Sequence, residues 1–407
     1  MNFINEHINS LNILQLFIDN GCVIYGKSVL DILKENKLDV IKMYLPSDEI
    51  IQNIENLKLT LDTCEIKQVT SHKKLWRIND LWILTTTKLP CTTIKDTENM
   101  CITNNGVSTF HNRNGLNILN YLRKINNKES FNDPYVNMQI RWITYLLNEG
   151  HTIYGSWPSR YITVTQSKEM HRDIDVSANN YKNLHNMINL LIDTDICHLN
   201  NKNTQKYTKK SLNINIPTNV GILNFDIHKS SHDMSCDAFY NNLKLTQKFL
   251  TVNYQPENIN FLSTLILTFR DLFFDNYTLI KPFPERADNM GEFRLIMKPL
   301  IFSHTHTINY DYLEKNKKEN ETINKLTDII TNNKCYKKCN HIQNDNFEIP
   351  STIVIKLGKK FKCIQCIHNH INIQKEINDK KNAILLYAKA MQNENCSEEE
   401  DTLSGEE

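Results

Sequence analysis

The chain has 407 residues, 40% of them hydrophobic, with 47 Lys and Arg against 46 Asp and Glu and a formal net charge of +1. That length is enough for two or three domains with cores of their own, and the near-neutral balance excludes a chain that holds polyanions by bulk charge alone. No run approaches the roughly 18 apolar residues of a membrane helix, and the N-terminus lacks a basic stretch followed by an apolar one, so a soluble intracellular, cytoplasmic protein without a membrane partner is expected.

In chain order, apolar spacing predicts an amphipathic helix from Ile8 to Asn20, then the stretch FIDNGCVIYGKSVLDIL from Phe17, a strand in KLDVIKMYL and a strand LWILTT from Leu81. NNKESFNDP, ending at Pro134, reads as a linker. A helix in MQIRWITYLLNEG leads to a short strand, Thr152 to Tyr154, and to Gly155-Ser156. Pro158 is expected to shorten the following helix or to delay its start. The segment HRDIDV and the run ILNFDIHK read as strands, NNLKLTQKFLTV as another, and FLSTLILTFRDLFFDNYTL as a buried helix because it is too long for a strand. Further on come a charged stretch, a cysteine-rich segment, a helix from Ile371 to Gln392 and an acidic, disordered tail.

The chemistry concentrates in the middle of this series. Alternate residues of a strand share a face, so Asp173 and Asp175 project to one side while Ile174 and Val176 face a core. With Asp226 on a neighbouring strand, three carboxylates converge, and their mutual repulsion makes sense if they hold hard divalent cations such as Mg²⁺ or Mn²⁺. Gly155 lets backbone N–H groups approach a phosphate, the Ser156 hydroxyl adds a donor, and Arg160 lies within reach of phosphates or of the carboxylates. His228 shares the strand face of Asp226 and reads as a hydrogen-bonded edge histidine, with a metal or phosphate contact as the alternative.

An internal repeat at an offset of about 130 residues indicates a duplicated domain. Gly21, Ile24, Tyr25 and Gly26 recur as Gly150, Ile153, Tyr154 and Gly155, and Asn99 and Thr103 recur as Asn242 and Thr246. Aligning KLDVIKMYL with HRDIDVSAN sets Asp39 against Asp173 and Ile41 against Asp175, while LWILTT stands where NFDIHK stands later and carries no carboxylate. The first copy therefore has the pattern without the metal ligands.

Strand, Gly-Ser, helix, strand with Asp-x-Asp, then a strand with one more Asp resembles the nucleotidyltransferase superfamily related to DNA polymerase β, over roughly residues 139–230. The duplication resembles the poly(A) polymerases of large cytoplasmic DNA viruses, and the Asn, Ile and Lys bias suits an AT-rich genome; the resemblance implies a location in host cytoplasm or in a virion. The resemblance implies an α+β protein of two tandem mixed-sheet modules, residues 1–135 degenerate and 136–310 catalytic, followed by a zinc-ribbon-like module and helix in 311–395 and the tail in 396–407. It implies that Asp173, Asp175 and Asp226 are catalytic and hold Mg²⁺, that Gly155, Ser156 and Arg160 bind a nucleoside triphosphate, and that AMP from ATP is added to an RNA 3′ end, with a dimer or partner protein possible. The alternative is a non-catalytic scaffold of the same fold that binds nucleic acid or a polymerase.

Eleven cysteines in a chain without a secretory signal read as reduced thiols, of which four cluster. Cys335-x3-Cys339 and Cys363-x2-Cys366 suit a tetrahedral structural Zn²⁺, with His341, His368 and His370 as alternative ligands. A RING-type adaptor would need more ligands than this segment offers. Lys202, Lys206, Lys209 and Lys210, with Tyr207 among them, and Lys356, Lys359, Lys360 and Lys362, with Phe361, are candidate RNA contacts or simply solvated loops.

Overall fold

The computed structural model describes residues 3–47, 49–50, 56, 64–88, 99–110, 114–193, 198–199, 211–229, 243–252, 254–256, 259–279 and 306–309. The zinc-module cysteines Cys335, Cys339, Cys363 and Cys366, both lysine patches and the acidic tail lie outside these residues. Every described element belongs to one compact unit, Met1–Ile280 with Thr305–Asn309. The architecture is α+β: one large mixed sheet with eight α-helices among the described residues.

Helices α1 (Phe3–Glu6) and α2 (Ile8–Asp19) open the chain, with Leu11, Leu14, Phe17 and Ile18 at helical spacing and buried. Then come β1 (Val23–Tyr25), α3 (Lys27–Leu33), β2 (Val40–Tyr44), β3 (Cys64–Thr70), β4 (Lys73–Ile78), β5 (Leu81–Thr86), β6 (Met100–Thr103), β7 (Gly106–Thr109) and α4 (Gly115–Ile125). The series starts again with α5 (Pro134–Asn148), β8 (Thr152–Tyr154), α6 (Ser156–Thr163), β9 (Ile174–Ala178), α7 (Tyr181–Asp193), β10 (His198–Leu199), β11 (Ser211–Thr218), β12 (Gly221–Lys229), β13 (Leu243–Leu245) and β14 (Leu250–Val252). Helix α8 (Phe261–Phe273) and the parallel pair β15 (Asn276–Thr278) and β16 (Thr307–Asn309) complete the unit.

The sheet order is β10-β11-β12-β9-β8-β13-β14-β7-β6-β1-β2-β5-β4-β3. Counted outward from the central β14–β7 pairing, the two halves have the same sequence of strands: β14, β13, β8, β9, β12, β11, β10 on one side and β7, β6, β1, β2, β5, β4, β3 on the other. The ladders agree residue by residue. Ile153 faces Val176 and Leu245, as Ile24 faces Met43 and Ile102. Val107 and Leu250 occupy equivalent places in the two halves and pair with each other at the joint. Close approach there requires glycine: Gly106 has φ +122, and a Cβ on it would collide with the Leu250 carbonyl and lie 2.9 Å from Thr251 Cβ.

This register corrects the sequence alignment of the two copies. Tyr154 faces Asp175, whereas Ile24 facing Met43 carries Tyr25 opposite Lys42. Lys42, not Ile41, therefore stands in the place of Asp175, and Val40, not Asp39, in the place of Asp173. Leu84, which faces Lys42, stands in the place of Asp226. The misalignment arose from matching one acid to another across copies whose connections to the strand differ in length.

In the second half of the sheet one face is apolar. Ile153, Ile174, Val176, Leu212, Ile214, Leu223, Phe225 and Ile227 are all buried, as the period-two pattern requires. Helix α6 packs on β8, β9 and β13, and α8 packs against α2, α3 and α6. The ion pair from Arg270 Nε to Glu35 Oε1, at 2.9 Å, fastens α8 to the first half. Arg123 at the end of α4 donates to the carbonyls of Tyr161 and Val164, both at 2.8 Å, and stacks 3.7 Å from the centre of the Phe131 ring, so the 126–133 connection is held against the end of α6.

Candidate metal centre

The site is assembled from three short stretches. Asp133 caps α5, accepting from the Tyr135 and Val136 N–H groups at 2.8 and 3.1 Å, which fixes where the helix begins. Within α5 the fully buried Gln139 donates to the carbonyls of Met170, at 2.9 Å, and Arg172, at 3.4 Å, and accepts from Trp157 Nε1 at 3.3 Å. One amide thus ties the start of α6 to the loop that feeds β9. Trp157 is buried in this contact and stacks on Tyr161 at 5.2 Å. The expectation that Pro158 would shorten or delay the helix is corrected, since α6 begins at Ser156 and runs eight residues. Proline in a first turn removes an N–H that no intrahelical acceptor awaits.

Gly155, the residue before α6, adopts φ +76 and ψ −141, and Gly26 before α3 adopts φ +68 and ψ −142. A Cβ at Gly155 would collide with Asp175 Oδ2 and lie 3.1 Å from its Cγ. The turn and the Asp175 carboxylate therefore touch, and only glycine permits it.

Asp226 stands directly opposite Asp175 in the parallel ladder between β12 and β9. His228, two residues on, points to the same face with Nε2 3.2 Å from Asp226 Oδ1. One ligand atom each from Asp175, Asp226 and His228 lies within 4.8 Å of the others, and all three residues are half-buried. The hydrogen bond from His228 to Asp226, opposed by burial and assisted by the charges of Asp226 and Asp175, raises the imidazole pKa above its ordinary value. The same ladder row continues from Asp175 to Tyr154 and Lys244.

The other expected site residues are placed as follows. Asp173 is exposed, one residue ahead of β9, and is not in the group with Asp175 and Asp226. Ser156 is the first residue of α6, beside Gly155. Arg160 turns toward Glu169, with Nη1 3.4 Å from its carbonyl and 4.0 Å from its carboxylate. His228 is hydrogen-bonded, as the sequence reading has it, but it sits on an inner strand, between β11 and β9. Period-two spacing put it on the face of Asp226, but only the pairing of β12 with β9 brings Asp175 to the same spot.

Two carboxylates and an imidazole at these separations fit a divalent cation, and the nitrogen ligand suits Mn²⁺ as well as the carboxylates suit Mg²⁺. The equivalent positions of the first half are Lys42, Leu84 and Thr86, which offer no such set. No family model matches the chain, and neither does any curated protein or solved structure.

Proposed function

We propose that the chain is a divalent-cation-dependent nucleotidyltransferase whose working site lies in the second half of the sheet, and whose first half is a copy without that site. The observation that carries this reading is the contact of Gly155 with Asp175 while Asp226 stands on the adjoining parallel strand, which brings a phosphate-binding turn and a cation-binding pair together.

In this reading Asp175, Asp226 and His228 hold the cation, with Asp173 at the strand entrance available to the metal that arrives with the nucleotide. When bound, the cation would supply charge neutralisation at the transferring phosphate and a lowered pKa for the acceptor hydroxyl. The N–H groups at the start of α6 and the Ser156 hydroxyl bind the outer phosphates. Gln139 keeps the turn and the β9 entrance in register, so that both halves of the site move as one piece. The substrate is ATP, as the resemblance to poly(A) polymerases implies, and the acceptor is an RNA 3′ end.

Primer extension tests it: the chain with Mg²⁺ or Mn²⁺, each labelled nucleoside triphosphate and an RNA primer, beside Asp175→Asn and Asp226→Asn. Extension that both substitutions reduce by about a thousand-fold or more agrees with the loss of electrostatic transition-state stabilisation. The exposure of Asp173 favours a second reading, a scaffold of the same architecture that binds nucleic acid without chemistry. RNA retention without extension by the wild-type chain would select it.

A further inference from the structure

The outward face of the first half of the sheet is chemically unlike its counterpart. Where the second half has Asp175 and Asp226, this face has Lys42 and Leu84. The ladder places Lys67, Leu75, Leu84 and Lys42 in one row across β3, β4, β5 and β2, and Glu65, Arg77, Trp82 and Val40 in the next. Lys42, Lys67, Lys73 and Arg77 are exposed there, and the one acid of this face among the described residues is Glu65, 3.9 Å from Arg77.

We propose that this face binds single-stranded RNA, with bases stacked on Trp82 and phosphates held by Lys42, Lys67, Lys73 and Arg77. Trp82 is 37% exposed, while its neighbours Leu81 and Ile83 supply the buried face of β5, so the indole is not needed by the core. The Arg77 guanidinium lies 5.4 Å over its ring and props it in place. Half-buried Leu75 and Leu84 continue a flat apolar strip beside it. Lys67 and Lys42 close the strip at its two ends, three strand spacings or about 14 Å apart. An apolar, aromatic centre flanked by cations is what an unpaired strand requires, because its bases have free faces and its phosphates lie to either side. A duplex hides those faces. The proposal uses no residue of the metal centre and does not depend on the transferase reading.

The test is fluorescence anisotropy of the whole chain with a labelled, unpaired RNA of about 15 nucleotides, a site length typical of such platforms, and with a duplex of equal length. The single strand binds preferentially. Trp82→Ala weakens it about ten-fold or more, and Trp82→Phe retains most of the affinity. Lys42→Gln and Lys67→Gln each reduce the slope of log affinity against log salt by about 0.7. Unchanged melting temperatures show that the exposed substitutions leave the fold intact. Wild-type affinity in Trp82→Ala and Lys42→Gln would overturn the proposal, as would equal binding of duplex. Failure to bind RNA, with the chain instead self-associating through Trp82, would also overturn it.

Discussion

Asp226 and Asp175 face each other on adjacent parallel strands, with His228 3.2 Å from the first of them. Two neighbouring carboxylates are held at a cost that a bound cation removes. Mn²⁺ at about 100 times its dissociation constant should therefore stabilise the wild-type chain by about 2.7 kcal/mol. Asp175→Asn and Asp226→Asn should lose this gain while melting no lower than the wild type in the presence of a chelator. Differential scanning fluorimetry with and without Mn²⁺ measures both.

The repeat supplies an internal control for Gly155. Gly26 has nearly the same backbone angles, with Lys42 in the place that Asp175 takes in the second half. Gly155→Ala and Gly26→Ala should each cost about 1–3 kcal/mol, the range for a side chain forced into a glycine conformation. Gly155→Ala alone should also abolish cation-induced stabilisation, because its Cβ displaces Asp175. Urea denaturation with and without Mn²⁺ separates the two effects.

Asp133 gives a pH signature. Burial by itself would raise its pKa, but the hydrogen bonds from Ser167 and from the Val136 and Tyr135 N–H groups, together with His171, outweigh it and lower the value. A depressed carboxyl contributes stability above its unfolded pKa and loses it as pH falls through the folded one. Asp133→Ala should therefore cost about 1 kcal/mol near neutral pH. The difference from wild type should shrink as the solution is acidified below the ordinary aspartate range. Melting curves across that range check the sign.

At the joint of the two halves, Gly106→Ala would drive a methyl group into the Leu250 carbonyl. A loss of about 1–3 kcal/mol is expected from the strained φ alone. Thr109→Ser, on the same strand, should cost much less. Chemical denaturation of the two variants compares them.

Much of this was legible in the sequence where local chemistry decides the outcome. Gly150 and Gly155 bracket β8, so its three residues could be read directly, and the apolar run from Phe261 is a buried helix as far as Phe273, although its end, Asn276–Thr278, turns out to be the strand β15. Period-two alternation gave the correct face for Asp175, Asp226 and His228. What alternation cannot give is where a strand starts or which strand lies beside it. Asp173 has the right parity but falls short of β9, whose entry loop is set by Gln139, a residue more than 30 positions away. The exchange of Lys42 for Asp175 emerged only from hydrogen-bond register, and the Val107–Leu250 joint rests on one pairing between strands too short to announce themselves.

Electron paramagnetic resonance of Mn²⁺ added to the whole chain tests the metal centre most directly. The wild-type protein should bind Mn²⁺ with a nitrogen coupling from one imidazole. That coupling should vanish in His228→Ala, and binding should fall at least ten-fold in Asp175→Asn and Asp226→Asn. Equal Mn²⁺ binding in the two aspartate variants, or a nitrogen coupling that survives the loss of His228, would contradict the assignment of these three residues as the cation site.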